Sequence, residues 1–420
     1  MFRISIFEFR IYLIMDLQSI KNIYHFWGAF LANIWYGSPS KKLTIIGVTG
    51  TDGKTTTSSL IYHILLHAKK KASLITSVSA TIGNTSYDTG FHVTTPSPFT
   101  VQKLLRQAVD DGSQYFVLET TSHALDQYRV YGIKYEIGLL TNITHEHLQY
   151  HKTYEKYVKA KAKLLKWSKL GIINRDDKSY EILQKLCNLK CKTYGLKNSA
   201  DYSLDISKEA GINLAQFNKY NYLGAYAVCH ELGLSDREIF SAMKTFKLPP
   251  GRMEVIYTNG FKVMIDFAHT PNGLHEALSA IKKQYNPARI IHIFGSAAFR
   301  DDTKRPIMGD ESASHADTAI ITEEDYRTED PQKICREIAA GLLKNKFSKI
   351  ENNLYNGTPK TFTVIVDRKK AIEKALSLVK PNDLIVLTGK GHEQSLCRGT
   401  KEYPWDDKKE VLESISKMNK

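Results

Sequence analysis

The sequence predicts an α/β protein with two successive parallel sheets, the first of the P-loop type and the second doubly wound (Rossmann-like). The first sheet is indicated by Leu43–Val48, a β-branched apolar run typical of a buried parallel strand. A glycine- and threonine-rich turn follows, and then apolar residues recur at helical spacing as far as Ala68. The second sheet is indicated by further apolar runs that alternate with helical patterns after residue 250.

Length and local breaks agree with this organisation. A chain of 420 residues has room for two or three hydrophobic cores. We predict a short amino-terminal segment over 1–41, a central domain over 42–249 and a carboxyl-terminal domain over 250–420. The last boundary rests on Pro249-Pro250-Gly251, which ends the preceding helical pattern.

Composition narrows the classes of partner. The formal net charge is +14, but the lysines are scattered rather than striped, which indicates a solvated surface and not a nucleic-acid partner. Five cysteines at irregular spacing are typical of a reducing compartment, so we expect a cytoplasmic location. Charges interrupt Met1–Met15, so we do not expect it to be a signal sequence, and Met15 is an alternative start.

The amino-terminal segment carries the aromatic run 23–36, IYHFWGAFLANIWY. This run is shorter than the roughly 20 apolar residues that a spanning helix needs, so no membrane-spanning helix is predicted. Two interpretations stay open. An amphipathic helix packed on the next domain is favoured, because amphipathic helices more often face a hydrophobic core. An interfacial helix would instead carry Trp27 and Trp35 to a membrane surface.

The turn after the first strand has the features of a phosphate-binding loop. Gly50 and Gly53 let the backbone approach oxygen atoms closely, and amides at the start of the following helix point at an anion. Lys54 supplies a positive charge, and Thr55 supplies a hydroxyl suited to Mg²⁺. The spacing departs from the strict P-loop pattern because Val48 occupies the place of the first glycine.

Polar residues follow two further strands of the first sheet. Tyr115–Leu118 delivers Glu119 at its carboxyl end, and Ile137–Leu140 delivers Thr141 and Asn142. Ligands collect at the carboxyl ends of parallel strands, and a carboxylate there suits a metal bound to nucleotide phosphates. Taken alone, Glu119 is equally compatible with a helix cap.

Later motifs are less specific by themselves. Three histidines within 145–151 suggest zinc, but the spacing lacks a helical i, i+4 pair with a flanking glutamate and a further ligand, so zinc is disfavoured. Asn218 and Asn221 lie near the start of a helix, where they can cap it or contact a base. The predicted strands of the second sheet are Val263–Phe267, Arg289–Phe294, Thr318–Thr322, Phe362–Val366 and Leu384–Thr388.

Together these pieces resemble the Mur ligases, in particular the members that add the third residue of the peptidoglycan stem peptide. The similarity extends from about Lys42 to the carboxyl end. Its motifs, modest one by one and specific in combination, are GVTGTDGKTTT (47–57), TTP (94–96), ETTSHAL (119–125), TNITHEHLQYH (141–151), FNKYN (217–221), PGRME (250–254), DFAHTP (266–271), RDDTKRP (300–306) and GKGHE (389–393).

The resemblance implies an ATP-dependent amide ligase acting on a muramyl peptide. In such enzymes ATP phosphorylates the acceptor carboxylate, and the amine of an incoming amino acid attacks the acyl phosphate. The implied cofactors are ATP, two Mg²⁺ ions and a CO₂-derived carbamate on Lys161; the implied partners are small molecules, and a monomer is favoured. The alternatives are a Mur-type ligase with a non-cell-wall acceptor, such as a poly-amino-acid or folate, and an inactive nucleotide-binding scaffold.

The resemblance also assigns site residues. The catalytic group is Lys54, Glu119, His147, Lys161 and Arg252. The residues assigned to the nucleotide are Gly50, Thr51, Asp52, Gly53, Lys54, Thr55, Thr56, Asn142, Asn218, Asn221, Arg252, Asp266 and His269. The residues assigned to the amino acid and the acceptor are Thr94, Thr95, Ser122, His123, Arg129, Arg300, Asp325, Arg327, Gly389 and Glu393. The magnesium ligands are Thr55, Glu119, His147 and carbamylated Lys161.

One departure from the family lies at the amino terminus. Only about forty residues precede Leu43, where full-length members carry a uridine-nucleotide-binding domain of roughly a hundred residues, an ordinary domain size. We expect that this domain is absent or replaced by the aromatic run. We therefore expect that the acceptor is not held through UDP in the usual way.

Other departures lie near the amino-acid site. Ala297-Ala298 replaces a glycine pair, and its methyl groups restrict backbone approach near Arg300. The DNPR signature of diaminopimelate enzymes is here Glu324-Asp325-Tyr326-Arg327, which keeps the arginine but exchanges an amide for a charge. Arginine suits a carboxylate, and Glu393 could hold a distal ammonium. We expect a diamino acid, either diaminopimelate or lysine.

Overall fold

The computed structural model describes residues 17–87, 94–144, 146–186, 191–350 and 359–418. These residues divide into two compact units. The first comprises the described residues up to 143 together with 155–205 and 221–244. The second comprises 144–154, 206–220 and the chain from 245 onward.

The elements up to residue 245 are, in chain order, α1 (Leu17–Trp35), β1 (Thr44–Thr49), α2 (Lys54–His67), β2 (Ala72–Ile75), β3 (Ala80–Ile82), β4 (Thr85–Tyr87), α3 (Pro98–Asp110), β5 (Tyr115–Glu119), α4 (Ser122–Asp126), β6 (Tyr135–Leu140), α5 (Leu148–His151), α6 (Tyr154–Trp167), β7 (Ser168–Asn174), α7 (Tyr180–Leu186), β8 (Cys191–Tyr194), α8 (Ile206–Ala210), α9 (Gln216–Glu231) and α10 (Asp236–Thr245).

The remaining elements are β9 (Glu254–Tyr257), β10 (Lys262–Asp266), α11 (Pro271–Tyr285), β11 (Ile290–Phe294), α12 (Lys304–His315), β12 (Thr318–Ile321), α13 (Pro331–Lys344), β13 (Ser348–Lys349), β14 (Thr361–Val364), α14 (Arg368–Leu378), β15 (Leu384–Thr388), β16 (Ser395–Arg398), β17 (Lys401–Pro404) and α15 (Asp407–Met418).

The first unit is built on an eight-stranded sheet in the order β4-β3-β2-β5-β1-β6-β7-β8. Six of these strands, β2, β5, β1, β6, β7 and β8, run parallel, and β3 and β4 extend the sheet antiparallel at one edge. In the register, Val48 of β1 pairs with Glu119 of β5 and with Leu139 of β6. The glycine loop after β1, Glu119 and the residues after β6 therefore share the carboxyl edge of this sheet. The predicted class is confirmed.

The second unit contains a seven-stranded sheet in the order β13-β14-β12-β11-β15-β10-β9, parallel except for β9. Helices cover both faces: α14 and α15 contribute to one apolar cluster, and α11 and α13 to two others. The prediction of a doubly wound sheet is thus confirmed. All five predicted strands are present as β10, β11, β12, β14 and β15.

The aromatic run folds within α1, whose two sides differ in character. Phe26 lies against the rings of Tyr131 and Tyr128 at centroid distances of 4.5 Å and 6.0 Å. In contrast, Trp27 is 54% exposed and Trp35 is 79% exposed. Among the described residues, no helix combines the length and the apolar character needed to cross a membrane.

Candidate active site

The loop between β1 and α2 has the conformation that its glycines predict. Gly50 has φ +155° and Gly53, the residue before α2, has φ +80°, and both values lie in the region that favours glycine. A Cβ on Gly53 would collide with the Asn221 side chain, and one on Gly50 with the hydroxyl of Thr141. The first amides of α2, including that of Thr56, are at a helix start where they lack helical carbonyl partners. This is an anion cradle.

Asn142 holds the loop in shape. Its Oδ1 accepts a hydrogen bond from the Asp52 N–H at 2.9 Å, and its main-chain carbonyl accepts one from the Thr51 N–H at 2.8 Å. Thr141 donates its hydroxyl proton to the Asp52 carbonyl at 2.7 Å. The predicted nucleotide contact Asn142 therefore has a clear role in fixing the phosphate loop.

Two lysines donate to carbonyl groups of the same loop. Lys54 Nζ donates to the Thr51 carbonyl at 2.8 Å, and Lys161 Nζ donates to the Gly50 carbonyl at 2.6 Å. Lys161 is 1% exposed, and its ammonium lies 4.6 Å from the centroid of the Tyr157 ring. The Tyr157 hydroxyl is in turn 3.1 Å from Thr51 Oγ1. Helix α6 thus brings a buried amine to the base of the loop.

Glu119 forms the acidic part of the site. The side chain is 1% exposed, and its Oε2 accepts hydrogen bonds from Thr55 Oγ1 at 3.0 Å and from the Ser77 N–H at 3.1 Å. The Ser77 hydroxyl lies 3.0 Å from Thr55 Oγ1. Within the described parts of the chain, no cationic side chain pairs with this carboxylate.

The environment of Glu119 fits a divalent cation. A buried carboxylate is normally paired with a cation or coordinates a metal. Carboxylate and hydroxyl oxygens side by side are the donors that Mg²⁺ prefers. Of the four residues that the sequence assigned to magnesium, Thr55 and Glu119 are therefore in contact with each other in the first unit, and Lys161 of α6 contacts the adjacent glycine loop.

Residues assigned to the acceptor cluster next to Glu119. Thr95 donates its hydroxyl proton to the Glu119 main-chain carbonyl at 3.2 Å and accepts from the Thr121 N–H at 3.1 Å. Arg129 Nη1 donates to the Thr95 carbonyl at 3.0 Å. Ser122 is buried and His123 partly exposed in the first turn of α4, and Thr94 is partly exposed.

In the second unit, three motifs meet around one loop. A Cβ on Gly251 would collide with the backbone of Gly391, and a Cβ on Gly391 would come within 2.7 Å of the Phe267 side chain. The Arg252 guanidinium lies 4.5 Å from the centroid of the Phe267 ring. The PGRME, DFAHTP and GKGHE motifs are therefore assembled in space, as a shared site requires.

Asp266 and His269 organise that loop. Asp266 accepts hydrogen bonds from the N–H groups of Met253 and Ala268, both at 2.7 Å. His269 Nδ1 lies 2.8 Å from the Phe267 carbonyl. Burial, with the nearby Lys304 charge, lowers the pKa of His269 to about 3, so the imidazole is neutral at physiological pH.

Lys304 is a buried cation that joins two motifs. It is 2% exposed, and its Nζ lies 3.3 Å from Glu146 Oε1 and donates to the His269 carbonyl at 2.8 Å. Lys304 therefore neutralises the buried Glu146 carboxylate. The adjacent His147 has φ +57° and places Nδ1 3.9 Å from Glu146 Oε1. His145 lies outside the described residues.

The predicted amino-acid site contains an ion triad. Lys390 is buried, and its Nζ lies 3.1 Å from Asp325 Oδ1 and 2.5 Å from Glu393 Oε2. Although burial lowers the pKa of Lys390, the two carboxylates more than compensate and raise it. Asp325 also accepts from the Cys397 N–H at 2.9 Å. The two acidic residues assigned to the substrate thus already share one lysine.

Glu324 is in a different situation from its neighbour Asp325. It is 5% exposed, and its Oε1 has no hydrogen-bond partner among the described residues. Gly389, at φ +101°, lies so close that a Cβ would collide with this oxygen. Burial raises the pKa of Glu324 to about 7, against the opposing charges of Arg368, Lys304 and Lys390.

The predicted arginines remain available for a ligand. Arg327 has φ +48° and is partly exposed, and its backbone, not its guanidinium, is hydrogen-bonded to Cys397 and Gly399 in the described chain. Arg300 is exposed after β11. Asn218 and Asn221 are both buried in the first turns of α9.

Sequence reasoning missed four residues of these clusters: Ser77, Lys304, Glu324 as an acceptor, and Lys390. Ser77 was missed because β2, a four-residue strand, was not recognised. Lys304 and Lys390 belong to quoted motifs, RDDTKRP and GKGHE, but their burial depends on packing between distant segments. The available signal was the position of Lys390 between two glycines, whereas Lys304 stands in a charged motif that offers no such signal.

A glycine loop at a helix start, with a buried carboxylate bonded to the first-turn threonine hydroxyl, defines a nucleotide-phosphate-binding protein of the P-loop type. Family models agree and are more specific. The Mur ligase middle domain matches residues 48–229, and the Mur ligase glutamate ligase domain matches 251–391.

Similar proteins support the same assignment. A Clostridium acetobutylicum protein named UDP-N-acetylmuramoyl-L-alanyl-D-glutamate–2,6-diaminopimelate ligase 1 is 36% identical over 405 residues, covering 91% of this chain and 80% of that protein. An Aquifex aeolicus ligase of the same name is 36% identical over 403 residues, with coverage of 91% and 80%.

Solved structures show the same architecture. A 2,6-diaminopimelate ligase of this type has a TM-score of 0.59 at 28% identity, covering 96% of this chain and 83% of that one. A Mycobacterium tuberculosis folylpolyglutamate synthase has a TM-score of 0.65 at 14% identity, with coverage of 86% and 91%, and shows the fold alone. The chain belongs to the Mur ligase family and is an ATP-dependent amide-forming ligase. Mur ligases use ATP and Mg²⁺.

Proposed function

We propose that this ligase joins a diamino acid, diaminopimelate or lysine, to the free carboxylate of a muramyl peptide. The names of its relatives support this substrate class. The observation that carries the proposal is the contact of 3.0 Å between Thr55 Oγ1 and Glu119 Oε2. It lies next to the glycine loop, whose carbonyl groups accept hydrogen bonds from Lys54 and Lys161. This arrangement supplies what phosphoryl transfer needs, namely positioning and neutralisation of charge.

The proposed reaction has two balanced steps. An acceptor carboxylate oxygen attacks the γ-phosphorus of ATP, and the bond to the bridging oxygen breaks to give ADP and an acyl phosphate. The amine nitrogen then attacks the acyl carbon, phosphate leaves with the carbon–oxygen electron pair, and the nitrogen loses a proton. Bound Mg²⁺ would neutralise phosphate charge, and Thr55 and Glu119 would hold it.

We propose that Lys161 carries a carbamate and serves a second Mg²⁺. The burial of Lys161 and its position 2.6 Å from the Gly50 carbonyl support this assignment. Reaction of the neutral amine with CO₂ forms an N–C bond, releases a proton and converts a cation into an anionic oxygen donor. Oxygen donors of this kind suit Mg²⁺.

On the amino-acid side, we propose that Arg327 and Arg300 hold carboxylate groups and that Glu324 accepts an ammonium. A guanidinium forms bidentate hydrogen bonds to a carboxylate. Glu324 is a better candidate for the ammonium than Glu393, because Glu393 already contacts Lys390 whereas Glu324 Oε1 has no partner among the described residues. The buried Asp325–Lys390 pair would then shape this site without binding the amine.

The test is release of phosphate from ATP, with Mg²⁺ and bicarbonate present. Diaminopimelate, lysine and glutamate are supplied one at a time with a muramyl dipeptide acceptor, once UDP-linked and once without UDP, and products are identified by mass. We expect release that depends on a diamino acid, with the matching mass gain. Arg327→Ala should raise the KM for diaminopimelate more than for lysine, because only diaminopimelate has a distal carboxylate.

Two results would contradict the proposal. Release that depends on glutamate alone would point to a different amine. Release with a non-muramyl acceptor alone would point to a ligase outside cell-wall synthesis.

We also propose that the exposed side of α1 contacts an anionic membrane surface. Its apolar side chains recur at helical spacing, and Tyr24, Trp27, Leu31 and Trp35 are 54–79% exposed. The exposed residues Lys41 and Lys42 follow shortly after the helix, and the net charge of the chain is +14. Apolar and aromatic residues beside basic ones are typical of interfacial helices.

Sedimentation with phosphatidylglycerol vesicles and with phosphatidylcholine vesicles tests this contact. We expect binding to the anionic vesicles, and its loss in the double variant Trp27→Ser, Leu31→Ser, whose positions are exposed. No binding to anionic vesicles would overturn the proposal. A dimer detected by light scattering and abolished by the same variant would show that a second copy, not lipid, covers this face.

A further inference from the structure

A cluster of two histidines and one glutamate lies on helices α11 and α12 of the second unit, formed by residues outside the quoted motifs. His275 Nδ1 is 2.9 Å from Glu311 Oε2, and His315 Nε2 is 3.4 Å from His275 Nδ1. Within the described residues, this is a group of three metal-ligating side chains whose donor atoms all lie within 4.8 Å of one another. His275 is 51% exposed, so the cluster is open to solvent.

Hydrogen bonding alone accounts poorly for this geometry. His275 Nδ1 carries either one proton or one lone pair. If Nδ1 is protonated, its proton serves Glu311, and the proton cannot also serve His315 Nε2 well. If it is unprotonated, it faces the Glu311 carboxylate with a lone pair. A cation between the three donor atoms would satisfy all of them at once.

The donor set and its spacing indicate the kind of cation. Two imidazole nitrogens and one carboxylate oxygen suit zinc and neighbouring transition metals, whereas Mg²⁺ and Ca²⁺ prefer oxygen donors. Zinc bonds of about 2.0–2.2 Å place the ligands of a tetrahedral site roughly 3.3–3.6 Å apart. The observed 2.9 Å and 3.4 Å are close to that spacing. Water would complete the coordination.

The helices that carry the cluster are firmly held. Glu311 and His315 are four residues apart on α12 and therefore share one face. Between them, Ser312 is buried and its hydroxyl lies 2.9 Å from Nδ1 of the buried His292. On the other side of α12, Gly309 is so close to α13 that a Cβ would collide with the Ile338 carbonyl. The two α12 ligands are thus preorganised.

His275 is equally well placed on α11. This helix begins after Thr270, whose side chain accepts a hydrogen bond from the Gly273 N–H, and Leu274 and Leu278 are buried in apolar clusters. Lys282 and Lys283 add positive charge near His315 and oppose a cation. We therefore expect moderate affinity.

We propose that His275, Glu311 and His315 form a binding site for a divalent transition metal, with Zn²⁺ as the preferred ion. Because the ligands come from two helices, the bound ion would join α11 to α12 and stabilise the second unit. The ion would have no part in the ligase reaction.

The experiment uses the full, untagged chain, first treated with a chelator and then kept in excess Mg²⁺. Binding of Zn²⁺ is measured by competition with a chromophoric chelator, and binding of Co²⁺ by the visible absorption of the four-coordinate ion. We expect one stoichiometric equivalent, bound with moderate affinity, for the native chain. His275→Ala and His315→Ala should each weaken binding by roughly tenfold or more, because a three-ligand protein site loses a ligand. Glu311→Gln should weaken it as well.

Matched variants exclude other sites. His63 and His67 form an i, i+4 histidine pair on α2, with ring centroids 6.4 Å apart, so His67→Ala should bind as the native chain does. His147→Ala should also keep the stoichiometric equivalent, which would exclude the predicted magnesium site. Zn²⁺ should raise the thermal unfolding temperature of the native chain and of His67→Ala, but not of His315→Ala.

Two outcomes would overturn the proposal. The native chain could fail to bind a stoichiometric equivalent in excess Mg²⁺, or His315→Ala could bind as tightly as the native chain. Phosphate release with Mg²⁺ should be the same in His315→Ala and the native chain, which checks that the variant is folded.

Discussion

The two units differ in whether their site carboxylates have a cationic partner within the protein. Glu119 in the first unit is 1% exposed and accepts hydrogen bonds from Thr55 and Ser77, but no described cationic side chain pairs with it. Asp325 and Glu393 in the second unit instead flank the buried ammonium of Lys390 at 3.1 Å and 2.5 Å. One carboxylate therefore needs an external cation, whereas the other two already have an internal one.

The difference separates a ligand site from a structural network. An unpaired buried charge costs free energy, so a fold keeps it where a ligand supplies the opposite charge. A buried ion pair that is complete within the protein can fix local geometry, and breaking it is costly because the remaining charge is left buried. Substitutions in the two places should accordingly have different consequences for activity and for stability.

The largest effect is expected from Glu119→Gln. We expect turnover to fall about 10³-fold or more, because the anionic donor for Mg²⁺ is removed, an effect of several kcal/mol on the barrier. The thermal unfolding temperature should stay the same or rise, because an uncompensated charge leaves the interior. Phosphate release and thermal unfolding measure the two quantities.

The matched control is Glu136→Gln, whose carboxylate is 42% exposed on β6 and pairs with Lys169. That variant should retain turnover. A Glu119→Gln enzyme with native turnover would show that the carboxylate of Glu119 is not a required magnesium ligand.

Lys390→Met should act mainly on stability. The substitution leaves the buried Asp325 and the partly exposed Glu393 without their cation, and breaking a buried pair costs about 3–5 kcal/mol. Hydrogen exchange of the β15 amides reports the loss in the second unit. Lys408→Met is the control, because Lys408 is 52% exposed where it pairs with Glu254, and such pairs contribute at most about 1 kcal/mol. Equal effects of the two substitutions would refute a structural role for the triad.

Lys161→Ala tests whether the buried lysine belongs with the ligand site. We expect turnover to fall by roughly 10²-fold or more, about 2.7 kcal/mol on the barrier, while ATP binding by calorimetry remains. A short carboxylic acid such as acetate should restore part of the turnover, because it can replace the lost carbamate oxygens. Lys163→Ala, two residues away on α6 with its Nζ 3.4 Å from Asp126, should be neutral. Full activity in Lys161→Ala would show that the carbamate is not required.

Most of the ligand site in the first unit could be predicted from the sequence. Glu119, Asn142 and the glycine loop after Leu43–Val48 each follow a predicted strand. Right-handed crossovers align the carboxyl ends of parallel strands, so these residues are predicted at one edge of the sheet. Five strands of the second sheet were predicted because a strand buried on both faces has a continuous apolar pattern.

The internal networks could not be predicted. Lys390 pairs with Asp325, which is 65 residues away, and Lys304 pairs with Glu146, which is 158 residues away. Neither sequence separation follows a helix or strand period. The identity of a lysine in a motif does not show whether its ammonium binds a ligand or pairs with a carboxylate of the protein. The short strands β2, β13 and β16 were missed because their sequences, ASLI, SK and SLCR, carry little β-branched or aromatic pattern. The equally short β12 and β14, TAII and TFTV, are rich in such residues and were predicted.

Glu324→Gln gives the smallest expected effect and tests the comparison most closely. Glu324 is adjacent to Asp325, yet its Oε1 has no partner among the described residues, so by this criterion it resembles Glu119. Burial raises its pKa from 4.5 to about 7. Between these two values the folded protein binds a proton that the unfolded chain has released, so the free energy of unfolding falls as pH rises through this window. The native chain should lose about 2–3 kcal/mol between pH 4.5 and pH 8 through this group, and the glutamine variant should not. Urea unfolding of both proteins at pH 5 and pH 8 measures the difference, and parallel profiles would show that the Glu324 carboxylate is not desolvated.

If Glu324 also accepts the substrate ammonium, the same variant should be more stable at pH 8 and have a higher KM for the diamino acid. Without substrate, the substitution removes a buried, unpaired charge. With substrate, it removes the charge that would bind the ammonium.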